Sequence, residues 1–141
     1  MMHRHLCATL LAALLGSIAG PINAQELIAN VGLAGGELSR NEARLFFTMR
    51  LQNWSDNQTV KVFVLPDENP LHGAFTKAVL GLFPYQLRRV WDRQLFSGTG
   101  QVPVTVSNED EMFRRVASTP GAIGYAERVP RDARVQVIRV R

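Results

Sequence analysis

The chain has 141 residues, 46% hydrophobic and 20% charged, with a formal net charge of +4. That length supports one modest domain with one core. The single cysteine, Cys7, excludes both a disulfide framework and a cysteine-built metal cluster.

Residues 1–24 open with Arg4, continue as an apolar run from Leu6 to Ala19, turn at Gly20-Pro21 and end on the small residue Ala24. This is the layout of a secretory signal peptide, and the apolar run is too short for a membrane-spanning helix. The mature chain is then 25–141, a periplasmic protein that does not span the membrane. It carries fifteen Lys and Arg against twelve Asp and Glu, nearly all of the cations being arginine. Arginines crowd the C-terminus without stacking aromatics among them, which argues against a nucleic-acid partner.

ELIANVGL reads as a strand, broken by AGGE. LSRNEARLFFTMR follows as a helix, with Ser39 and Glu42 spaced as a capping box and Leu45, Phe46 and Met49 on one face. NWSDNQ is a turn in which Asn57 takes positive φ, and TVKVFVL is a strand. Asn69 then caps a helix with Pro70 at its first position, a stripe of Leu71, Phe75 and Val79, and a stop at Gly81. Pro84 starts another helix, with Leu87, Trp91 and Leu95 on one face, and SGTGQ ends it. PVTV is a short extended piece, and SNEDEMFRRVAS is a helix capped by Ser107. In STPGAIGYAER, Pro120 stops that helix, Gly121 supplies the left-handed closure, and AIGY forms a buried strand with Gly124 marking close packing. ARVQVIRV is the last strand. Strands separated by helical crossovers predict an α/β domain: a mixed, mostly parallel sheet with helices on both faces.

Catalytic chemistry finds little support in this chain. After residue 24 one histidine remains, His72, in the first turn of a helix and without a nucleophile motif; it reads as a surface residue, not a general base. Asp67 and Glu68 precede the same helix, where they suit the positive end of its dipole. Ser97 to Gly100 look like a phosphate cradle but follow a helix, so the leftover groups there are carbonyls that repel anions. The expectation is no enzyme, no metal and no cofactor.

The stretch VASTPGAIGYAE resembles the C-terminal signature of the phosphate-binding proteins of ABC transporters, in the type 2 periplasmic solute-binding superfamily. LSRNEARLFF, NWSDNQTVKVFVLP, FTKAVLG and RRVWDRQLFSGTGQVP match further pieces in order. The resemblance covers nearly all of 25–141 and implies one lobe of a two-lobed, periplasmic-binding-protein-like fold, in a short form. It implies a phosphate-holding arginine at Val64 or Leu65 and a Ser-Gly-Thr at Asn69, Pro70 and Leu71; none of these residue types is kept. What is left for a small oxyanion such as phosphate is weak contact at the helix start, through Asn69, Leu71 and His72. Two functions follow: an accessory solute-binding or sensing protein, or an interaction module for a periplasmic sensor or transport component. Leu65 and Leu71 separate them, since exposure would mark a protein contact and burial a closed face.

Overall fold

The computed structural model describes residues 25–98 and 100–141, so the segment 1–24, read above as a signal peptide, lies outside the described residues. In chain order the elements are β1 (Glu26–Asn30), β2 (Glu37–Leu38), α1 (Arg40–Phe47), β3 (Lys61–Val64), α2 (Pro70–Phe75), α3 (Pro84–Phe96), β4 (Val104–Thr105), α4 (Glu109–Ser118), β5 (Ala122–Ala126) and β6 (Val135–Val140). A π-helical turn, Thr76–Leu80, extends α2. The strands form one sheet in the order β2-β6-β1-β5-β3-β4. β3 pairs parallel with β4 and β5, β2 pairs parallel with β6, and β1 runs antiparallel between β5 and β6. The sheet is therefore mixed and mostly parallel, as expected. The two-residue strand β2 is an addition to the sequence reading, too short to leave a periodic signal.

Helices cover both faces. Gly124 and Tyr125 are consecutive on β5, so they point to opposite sides. On the Gly124 side, a Cβ at that position would stand 2.6 Å from Met112 Sδ and 3.2 Å from Val116 Cγ2, which is how closely α4 lies on the sheet. Asn30, at the end of β1, donates from Nδ2 to the carbonyls of Val116 (3.0 Å) and Ala117 (3.1 Å) and so satisfies the last turn of α4. On the Tyr125 side, Phe47 and Phe75 pack against the phenol ring, and Trp91 Nε1 donates to the Phe47 carbonyl at 2.8 Å.

Several local rules hold. Ser39 Oγ accepts from Glu42 N while Glu42 Oε2 accepts from Ser39 N, the reciprocal capping box. Asn57 and Gly81 adopt φ of 68° and 67°. Gly121 has φ 78°, and a Cβ there would fall on the Thr59 carbonyl oxygen. Its own carbonyl accepts from Lys61 N (3.1 Å) and from Trp54 Nε1 (3.0 Å), so the tryptophan turn and the TPG turn are clamped together.

Others needed correction. α1 stops at Phe47, and its buried residues are Ala43, Phe46 and Phe47; Met49 lies past the helix with φ 62°. In the second helix the buried set is His72, Phe75, Thr76 and Leu80, not Leu71, Phe75 and Val79. The π turn inserts extra residues per turn and rotates Leu80 inward in place of Val79. Leu95 is exposed because α3 overshoots the core after Trp91. The cap of α4 is Asn108, whose side chain accepts from Glu111 N; Ser107 instead donates its backbone N–H to the Glu111 carboxylate.

Candidate functional site

β3 ends at Val64 and the chain turns through Leu65 and Pro66 to Asn69, the cap of α2. This brings the end of a central strand, a helix start and the middle of α3 together. Asn69 Oδ1 accepts from Leu71 N at 2.9 Å, while the Asn69 carbonyl accepts from Gly73 N at 3.2 Å. The asparagine thus serves its own helix. Leu71 is half-buried against the core, and Leu65 is fully buried. By the criterion set above, this face is closed.

His72 is fully buried, which corrects the expectation of a surface histidine. A polar ring sits inside only if it finds partners, and this one does. Its Nδ1 bonds to the hydroxyl of Tyr125, itself fully buried, and that oxygen accepts the Leu65 N–H at 2.8 Å. Since Tyr125 already accepts from Leu65, its proton is best given to Nδ1, which places the imidazole proton on Nε2. Nε2 has no hydrogen-bond partner but faces Asp67 Oδ1 at 3.8 Å. Asp67 is in turn held by Arg88 through two bonds of 2.9 Å, and the guanidinium lies 4.9 Å from the Trp91 ring centroid. The line Leu65–Tyr125–His72–Asp67–Arg88 therefore ties β3, β5, α2 and α3 into one polar chain.

Its electrostatics follow from these contacts. The Arg88 hydrogen bonds hold the Asp67 carboxyl below its ordinary range, against the opposing effect of burial. Burial pushes the His72 imidazole below its ordinary value, with Asp67 opposing, so the ring is neutral at pH 7. Burial also raises the Tyr125 phenol, against the lowering effect of the Leu65 N–H. The phenol keeps its proton and the imidazole lone pair faces that phenol, so neither of these two groups is poised as a nucleophile or base.

The three residues singled out from the sequence, Asn69, Leu71 and His72, are adjacent in the structure, but their side chains diverge: one onto its own helix, one onto the core, one inward to Tyr125. Sequence reasoning overlooked Asp67 and Arg88 as a pair and Tyr125 as their buried anchor. Asp67 was read as a dipole charge; its partner lies twenty-one residues on, at a spacing no helical or strand rule connects. Among the described residues no group of three or more His, Cys, Asp or Glu is placed to hold a metal ion.

No protein-family model matches this chain, and no curated protein matches it. Solved structures do match by fold. An ABC-type phosphate transport receptor from Vibrio cholerae superposes with a TM-score of 0.60 at 13% identity, over 84% of this chain and 47% of that one. PstS from Borrelia burgdorferi gives 0.61 at 11% identity, over 83% and 47%. A protein assigned as a phosphate ABC transporter substrate-binding protein, with bound phosphate, from Clostridium perfringens gives 0.63 at 17% identity, over 84% and 46%. The chain spans about half the length of these proteins, and at such identities the likeness is one of fold. This domain has the α/β architecture of one lobe of a periplasmic-binding-protein-like fold.

Proposed function

We propose that this is an exported, periplasmic accessory protein for solute binding or sensing, built as one lobe of a phosphate-binding-protein-like fold that has given up high-affinity phosphate capture. The observation that carries the reading is the fold match over 83–84% of the chain to phosphate receptors about twice as long. The turned-in site sets its strength. Asn69 is engaged with Leu71 N, Tyr125 takes the Leu65 N–H, and Arg88 is engaged with Asp67. A small oxyanion at Asn69, Leu71 and His72 would meet a neutral imidazole and no free arginine fork, so binding there is weak. Among the described residues no helix is long and apolar enough to cross a membrane.

The test is a thermal-shift titration of the full chain with phosphate, sulfate and related oxyanions at low salt. A one-site ligand at a hundred times its Kd adds about 2.7 kcal/mol of stability. Saturable stabilisation by one oxyanion, reached only at millimolar concentration, supports the reading; micromolar saturation contradicts the loss of capture. No shift at all removes the solute role. The interaction module for a periplasmic sensor or transport component would then take its place, with the exposed Phe83–Tyr85 stack as its first candidate contact.

A further inference from the structure

Away from that site, a groove of about 470 Å³ opens between the segment 34–38 and the tryptophan turn. We propose that it binds a small organic cation, a primary ammonium carried on an apolar or aromatic body. The volume falls in the range of small-molecule sites. Its floor is the Phe46–Trp54 pair, with ring centroids 4.6 Å apart and planes at 42°, flanked by Leu51 and Ile138. Trp54 is fixed in place because its Nε1 donates to the Gly121 carbonyl, which leaves the indole ring, not its N–H, to face a ligand.

Charge decides the class of ligand. The chain is basic overall, yet two carboxylates, Glu37 and Glu42, line this groove, and none of its described lining residues is Lys or Arg. Glu42 uses Oε2 to accept from Ser39 N at 2.7 Å. Those contacts with Ser39 hold it below the ordinary carboxylate range, so it stays ionised through neutral pH. Glu37 pairs with Arg139 at 3.8 Å and Arg141 at 3.7 Å, through side chains that are 81% and 68% exposed. Such solvated pairs are weak, and a ligand ammonium lying over the aromatic floor competes for the same oxygens. The face of an indole attracts a cation as well. An oxyanion meets the two carboxylates that line the groove, with Arg139 and Arg141 beside it already paired to Glu37, so this groove differs in chemistry from the helix start of α2.

The test uses the full chain, labelled for NMR and titrated with phenethylammonium, with 2-phenylethanol as the neutral isostere and 3-phenylpropionate as the anionic one. A probe of this size in such a groove binds with Kd of about 1 mM. The expected result is saturable movement of the Trp54 indole N–H and of amides in 34–38 and 51–55. The alcohol binds about tenfold more weakly, and the carboxylate does not saturate. Glu42→Gln weakens the ammonium about five- to tenfold. Glutamine keeps the capping box but not the charge of its bond to Ser39, so the fold is retained with a slightly lower melting temperature; Glu37→Gln acts in the same direction on binding. Equal affinity for alcohol and ammonium, movement outside the groove, no saturation, or unchanged affinity in both variants overturns the proposal.

Discussion

Replacing Tyr125 with Phe removes one oxygen and tests the polar chain that closes the helix start. The ring itself keeps its place, stacked on Phe75 at a centroid distance of 4.0 Å and 9° between planes. Two buried groups lose their partner: the Leu65 N–H, 2.8 Å from the hydroxyl, and His72 Nδ1. Each such loss costs about 1–3 kcal/mol, partly offset because the phenol no longer has to be desolvated. The expected net loss is about 2–4 kcal/mol, from a domain whose total stability is of the order of 5–15 kcal/mol. At about 4 °C per kcal/mol for this size, the midpoint falls by about 8–16 °C. Thermal and urea unfolding followed by circular dichroism measure it, with an unchanged urea slope confirming that the compactness of both states is kept. The double variant Tyr125→Phe with His72→Leu removes the stranded acceptor, so its loss should fall short of the summed single losses by more than about 1 kcal/mol. A Tyr125→Phe protein within about 0.5 kcal/mol of the parent would falsify the reasoning, since that is the size of an ordinary surface substitution.

The same network sets the pH response. His72 has a lowered pKa in the folded protein, so its contribution is complete above the unfolded value near 6.5 and declines as pH falls below it; melting temperatures measured downward from pH 8 should begin to drop there, and His72→Leu should flatten that part of the curve. Asp67, also lowered, adds a second decline as pH falls below about 4. Tyr125 has a raised pKa, so its contribution holds below the ordinary phenol value near 10 and is lost above it; an alkaline unfolding series should show a drop that Tyr125→Phe lacks. Gly121→Ala places a Cβ at φ 78° onto the Thr59 carbonyl, and urea unfolding should show a loss of at least about 2 kcal/mol. Gly124→Ala should cost about 1–3 kcal/mol by pressing on Met112, and Met112→Ala in that background should restore part of it.

What the sequence determined by itself is local in origin. Ser39 and Glu42, Asn69 and Pro70, Asn57, Gly81 and Gly121 each act through bonds or backbone angles within a few residues, and each took the conformation read from it. The alternation of apolar runs with capped helices was enough for the α/β class and for a mixed, mostly parallel sheet. The burial of His72 belongs to the other kind. An imidazole goes inside only where a distant group can bond to it, and that group, Tyr125, is fifty-three residues away on strand β5. The Asp67–Arg88 pair and the groove over Phe46 and Trp54 likewise join segments with no shared periodicity. Capping and turn chemistry is short-ranged, so sequence order carries it. The partner of a buried polar group, and the sign of charge around a cavity, depend on which segments the sheet brings together, and only the tertiary structure decides that.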